Sequence, residues 1–204
     1  MAILSTSVSL TRYRIVEEVD HAFLRSVPDR LVKYAFQDID HSADERSFGW
    51  VNLDHMLDTR WRRSPPEKGA YLAFTMRLET RRISPAVLKK HLLMAMEAEL
   101  ERAKEGGKDF VGRERKKEVK EQVKLKLMAR SLPVPALFEA VWSPKDNWLW
   151  FGSTNAKART LFEDLFAQTF ELTLEPQTPF FLAMDILGEG AAQALEQLEP
   201  TVFV

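Results

Sequence analysis

The stretch VGRERKKEVKEQVKLKLMARSL, residues 111–132, decides the fold of this chain because it is long and carries a helical period. Val119, Val123 and Leu127 recur every fourth residue, so a helix here owns one apolar stripe, while Arg113, Lys116, Lys117, Lys120 and Lys124 fall largely on another face. Residues 102–130 hold eleven lysines and arginines against five acids, yet the whole chain of 204 residues has a formal charge of -1. The remainder is therefore net negative, and charge is segregated along the sequence.

Upstream, Ser84 followed by Pro85 reads as a helix start. The serine oxygen can accept from first-turn amides, and proline at the first helical position loses no bond. Leu88, Leu92, Ala95, Met96 and Leu100 then carry a helix to a stop at Gly106-Gly107. Two helices joined by so short a connection form an antiparallel hairpin over residues 85–130, which projects if its flanking segments pair as strands.

Those flanks do read as strands. In AYLAFTMRLETRRI, residues 70–83, Leu72, Phe74, Met76 and Leu78 alternate with the other parity, which predicts one strongly apolar face. Pro133 and Pro135 are expected to end the hairpin, after which residues 136–142 and 148–153 read as two strands joined by a five-residue turn, SPKDN. Farther out, residues 7–16 predict a strand and residues 21–36 a helix, with Pro28 as a break or as a first-turn residue of a second piece. FGWV at 48–51 predicts a brief strand, and 58–69 a proline-rich loop. Asn155 caps a helix with a wide apolar face from Ala158 to Phe170, and the tail holds a short helix around PFFLAM. The fold class is α+β: antiparallel β-sheet elements with packed helices and a protruding antiparallel helical hairpin. Residues 1–175 form one domain, and residues 176–204 a C-terminal tail.

With 45% hydrophobic residues, the chain is long enough for an ordinary core. It has no cysteine, which excludes disulfides, thiolate metal sites and cysteine nucleophiles and fits a reducing cytoplasm. No apolar run approaches the roughly 18–20 residues that span a bilayer, and the N-terminus lacks the pattern of a secretion signal, so no membrane partner is expected.

Several of these elements, in this order, resemble the RdgC family of recombination-associated bacterial proteins, sometimes labelled exonucleases. They are Gly49-Trp50-Val51, ISPAVLKKHLLMAMEAELE, the basic helix, a tryptophan-bearing strand pair and STNAKARTLFEDLF. The resemblance covers roughly residues 7–175, corresponding to the N-terminal half of the family's longer proteins. It departs from the family where RSLPVP follows the basic helix in place of Arg-Ala-Phe-Ser. The resemblance implies sequence-independent binding of double-stranded DNA, a homodimer that closes into a ring with a positively charged hole, modulation of RecA-dependent recombination, and a nucleoid-associated location. It implies no catalytic residue, no cofactor and no small-molecule substrate.

Arg113, Arg115, Lys116, Lys117, Lys120, Lys124, Lys126 and Arg130 are accordingly the candidate DNA-binding residues, with Arg81 and Arg82 continuing the cationic surface from the base of the hairpin. Phosphate neutralisation needs charge and reach but no base-edge geometry. The plainer reading is a solvated face whose Glu114, Glu118 and Glu121 pair with nearby lysines. Arg60, Arg62 and Arg63 around Trp61 form a second basic group, able to stack on unpaired bases or to grip a backbone, or merely solvated. Trp142, Trp148, Trp150 and Phe151 are expected in the core or at a subunit interface. Two other functions stay open. One is a protein interaction module using the charged hairpin. The other is a metal-dependent nuclease using Asp38, Asp40, His41, Asp44 and Glu45, with Asp54 and His55 nearby.

Overall fold

The computed structural model describes residues 3, 7–42, 44–107 and 109–199, the side chain of residue 189 excepted. Seven strands and six α-helices alternate along them: β1 (Thr11–Ile15), α1 (His21–Lys33), β2 (Arg46–Val51), β3 (Glu67–Lys68), β4 (Tyr71–Arg81), α2 (Pro85–Glu105), α3 (Arg113–Arg130), β5 (Pro133–Ser143), β6 (Trp148–Phe151), α4 (Ala156–Phe170), β7 (Leu174–Pro176), α5 (Pro179–Leu187) and α6 (Ala192–Glu196). One sheet runs in the order β2-β4-β5-β6-β1-β7, with β3 beside β4. Antiparallel registers include Tyr13 opposite Leu149, Trp142 opposite Leu149, and Arg14 opposite Glu175. The fold is thus the expected α+β class with an antiparallel sheet. The described residues group into two compact units, one drawn from 1–36, 49–77 and 137–204, the other from 37–48 and 78–136.

The first unit is held by aromatic rings. Trp50 meets Phe74 edge-on at 5.0 Å and Phe162 at 5.8 Å, and Phe151 stacks on Phe162 at 4.1 Å. Trp142 meets Phe166 and Phe170, and all of these rings are fully buried. Each removes roughly 150–250 Å² from water, about 4–6 kcal/mol before the entropy of ordering is set against it. Two polar tips in this core are satisfied, Trp50 Nε1 donating to Thr169 Oγ1 at 2.7 Å and Tyr13 OH to Glu163 at 2.7 Å, whereas the buried Trp142 Nε1 has no hydrogen-bond partner among the described residues. Burial, reinforced by that bond to Glu163, pushes the Tyr13 phenol far above its ordinary value. Gly49 is required by close approach, since a Cβ there would lie 2.6 Å from the backbone N and Cα of Phe36.

Four local expectations are corrected. Pro28 lies inside α1 and does not break it. An interior proline costs about 3 kcal/mol, but Val27 and Leu31 are fully buried and Phe23 packs on Trp142, which offsets that loss. β4 is buried on both faces: Leu72, Phe74 and Met76 enter the ring core, while Ala73, Thr75 and Arg77 are also buried. The 52–68 segment meets that second face where Arg77 Nη1 donates to Met56 O, and flanks β4 laterally where Ala73 N donates to Pro66 O. Ser84 makes no side-chain cap bond, although α2 does begin at Pro85. Finally, β5 starts at Pro133. Gly152 N donates to Glu139 O, so odd-numbered residues of β5 turn their backbone groups toward β6. Pro133 and Pro135 are odd-numbered and lie past the last residue of β6, where a missing N–H breaks no ladder. The two short strands β3 and β7 were not anticipated, and the turn before β6 is four residues, 144–147, with Asn147 at φ 54°.

In the second unit α2 and α3 pack together and run antiparallel: Arg115 near the start of α3 reaches Glu99 near the end of α2, while Lys120, farther along α3, shares a groove with Leu88 and Leu92 nearer the start of α2. Gly107, at φ 76°, supplies the left-handed residue of the turn between them. Val119 is the buried residue of α3, and α2 has none among the described residues. The pair is a thin two-helix layer with a narrow apolar seam.

Candidate nucleic-acid interface

Helical geometry sorts the cations of α3. Arg113, Lys117, Lys120 and Lys124 are spaced four, three and four residues apart, which puts them within an arc of about 60° and along roughly 16 Å of axis. All four are exposed. Lys120 borders an apolar groove that Leu88, Leu92 and Met96 of α2 also line. Lys124 Nζ approaches Glu45 Oε1 at 3.8 Å, a long pair between half-exposed groups that contributes little and leaves the lysine available. Lys116, Lys126 and Arg130 are exposed at other azimuths of the same helix.

Arg115 differs from its neighbours. Its guanidinium is bidentate to Glu99 at 2.8 and 2.9 Å and also donates to Glu118 at 2.9 Å. The bond to Arg115 holds the Glu99 carboxyl below its usual range, and the same contacts push the guanidinium pKa up. Arg115 thus ties α3 to α2, and a phosphate would have to displace two carboxylates to use it.

Arg81 is a correction. It is 6% exposed, and its guanidinium donates to the carbonyls of Ile39, Asp40, Ser42, Asp44 and Ser131. Each guanidinium nitrogen donates to backbone, so Arg81 is turned away from any ligand and instead fastens Ile39, Asp40, Ser42 and Asp44 to the end of α3. Arg82, of opposite parity in the chain, is exposed.

The acidic segment anchored by Arg81 is taken up locally. Asp38 accepts from the amide of Asp40, Asp44 accepts from Ser42 Oγ, and Glu45 faces Lys124. Asp54 is bound by Lys68 at 2.6 Å and by Ser64, and His55 Nδ1 accepts from the amide of Leu57. Among the described residues, no three carboxylates or imidazoles converge as a metal-holding group.

The aromatic strand pair divides by parity. Trp142 and Phe151 are fully buried, while Trp148 lies under Arg12 at 4.6 Å and Trp150 meets Tyr71 edge-on. A cleft of about 910 Å³ between the start of α1, the β3–β4 turn and the β5–β6 turn is lined by charges of both signs, among them Asp20, His21, Arg25, Glu67 and Lys145.

Sequence reasoning missed how the second basic group is built. Asp58 is buried, and its carboxylate accepts from the backbone amides of Arg60 at 3.1 Å, Arg62 at 3.2 Å and Arg63 at 3.0 Å. The signal was present as an Asp two residues ahead of the first arginine, the spacing of an Asx turn. Burial alone would raise the Asp58 carboxyl, but the three amide donors outweigh it and hold it below its ordinary value.

No helix among the described residues is long and apolar enough to cross a membrane. Compared with known families, residues 9–182 match the model described as "Putative exonuclease, RdgC". No curated protein matches the chain.

Proposed function

The chain belongs to the RdgC family, and from that premise we propose that it is a non-catalytic protein that binds double-stranded DNA without sequence preference and thereby limits RecA access during recombination. It acts as a homodimer in the cytoplasm, at the nucleoid. The observation that carries this reading is the exposed stripe of Arg113, Lys117, Lys120 and Lys124 on α3, a row of cations whose acidic neighbours do not neutralise it. Such a row matches a phosphate backbone, whose charges recur every 1.7 Å or so along a duplex axis and demand no base-edge contact. Lys116, Lys126, Arg130 and Arg82 extend the same charge, while Arg115 supports the helix pair and Arg81 supports the loop.

The family description carries the word exonuclease. The non-catalytic reading is supported by the carboxylates of Asp38, Asp44 and Glu45, which are engaged by an amide, a hydroxyl and Lys124. Incubating duplex with protein and Mg²⁺ or Mn²⁺ should leave its length unchanged, and shortening abolished by a D38A/D40A variant would establish the nuclease.

Salt titration of random-sequence duplex binding tests the central claim. Log affinity should fall linearly with log salt, by about 0.9 per neutralised phosphate. K117E/K120E/K124E should weaken binding and flatten the slope by about one unit per lysine. An unchanged affinity and slope would remove α3 from the site. A second reading, a protein interaction surface, is favoured by one observation: Leu93 and Met94 are 57% and 55% exposed on α2 beside the groove of Leu88, Leu92 and Met96. Retention of a protein partner with no salt-dependent duplex binding would select it.

A further inference from the structure

We infer that the 58–63 turn is a second phosphodiester-binding element, in which Asp58 acts as a positioning residue that presents Arg60, Arg62 and Arg63 to a nucleic-acid backbone. It rests on the duplex-binding reading but belongs to the other compact unit, so it is a separate contact from α3. Three observations carry it.

The first is preorganisation. One buried carboxylate gathers three successive arginine amides, with Oδ1 taking those of Arg60 and Arg62 and Oδ2 that of Arg63. The turn is tied to the rest of its unit on both sides. Asn52 N donates to Asp58 O, and Asn52 Nδ2 donates to Ser64 O at 2.8 Å. Ser64 Oγ donates to Asp54, which Lys68 also holds. Arg77, lying over the Phe36 ring at 4.2 Å, donates to Met56 O and braces the approach to the turn. The backbone that carries the guanidiniums is therefore fixed before any ligand arrives, which lowers the ordering cost of binding.

The second is charge left available. The side chains of Arg60, Arg62 and Arg63 are exposed, and no carboxylate among the described residues pairs with them. The acids nearest in sequence are already engaged, Asp58 by the amides and Asp54 by Lys68 and Ser64. Three guanidiniums in four residues, each with planar donors and a permanent charge, suit phosphate oxygens better than any neutral ligand.

The third observation is the placement of Trp61. Its backbone is left-handed at φ 48°, its side chain is largely covered, and its indole N–H is shielded from solvent. An indole covered to this extent presents only part of its face for stacking. The turn thus offers more charge than aromatic surface, which favours the outside of a duplex over unstacked single strands.

Duplex-binding salt titrations on the full chain separate the claims. R60Q/R62Q/R63Q should bind more weakly and lose about two to three units of slope while K117E/K120E/K124E loses its own share. D58N is the sharper variant. It deletes a negative charge beside three cations, so charge count alone predicts tighter binding, whereas loss of positioning predicts weaker binding with every arginine still present. Thermal melting of each variant confirms the fold, and where D58N is unfolded the arginine variant decides. A folded R60Q/R62Q/R63Q with unchanged affinity and slope overturns the inference while leaving α3 in place. Loss through the turn with none through α3 keeps the inference and removes the helix. Preference for oligo-dT over duplex, abolished by W61A, overturns the assignment to a duplex backbone, and no binding by the unmodified chain at low salt overturns both sites.

Discussion

Arg81 and Arg82 are neighbours with opposite fates. Arg81 is the last residue of β4 and is drawn among the carbonyls of Ile39, Ser42 and Asp44, while Arg82, just past the strand end, meets solvent. From sequence both look like parts of a basic cluster, because nothing in the letters Arg-Arg reports which side will be covered. Charged residues are rarely buried without partners, and here the partners are backbone oxygens, which no composition count can reveal. Replacing Arg81 by leucine would leave these carbonyls without their donor in a closed site. We expect R81L to destabilise the protein by about 3 kcal/mol, measured from urea unfolding. Its duplex salt slope, measured on the folded fraction, should match that of the unmodified chain, since Arg81 touches no solvent-facing ligand. A lower slope with normal stability would return it to the binding surface.

At the scale of elements, the helices were the most legible part. α2 and α3 could be read from period and from the Gly106-Gly107 stop, because a helix of this length repeats its pattern several times. β3 and β7 could not, since strands of two and three residues contain no full alternation and exist because the first residues of β4 and the outer side of β1 give them a partner. Pro28 misled in the other direction: a local rule about proline was outweighed by tertiary burial of Val27 and Leu31 on the same helix. Of the candidate site, the exposed stripe of α3 follows from period alone, whereas the Glu99–Arg115 clasp needed the second helix in place. The thinness of this layer makes a contrast measurable. Val119→Ala should cost about 2 kcal/mol, because it empties a closed seam, while Leu125→Ala, at a position 67% exposed, should change stability by less than about 0.5 kcal/mol. Equal losses in urea midpoint would mean that Leu125 is covered by something else.

For the molecule as a whole, acid should separate the contacts that rest on carboxylates from those that do not, and the Glu99 carboxyl of the second unit, held low by Arg115, belongs to the acid-sensitive kind. In the first unit Asp58 is held below its ordinary pKa despite burial, by the amides of Arg63, Arg62 and Arg60. Glu17 is likewise lowered despite burial, by the amide and hydroxyl of Thr173. A carboxyl whose folded pKa is depressed adds stability that is fully present above its unfolded value and is lost as pH falls through the folded value. The contribution of both groups should therefore be complete at pH 7 and drain away below about pH 4.5. A urea midpoint that does not fall between pH 6 and pH 3 would remove them from the balance. The guanidinium of Arg81 rests instead on amide carbonyls, which take up no proton anywhere in that range. The knot it ties joins Ile39, Asp40, Ser42 and Asp44 to the end of α3 without using a carboxylate as acceptor. In an acidic buffer, amide exchange should quicken first around the Asp58 turn and at the junction of Glu17 with Thr173. The loop beneath Arg81 should keep its neutral-pH protection until the unit that carries it unfolds.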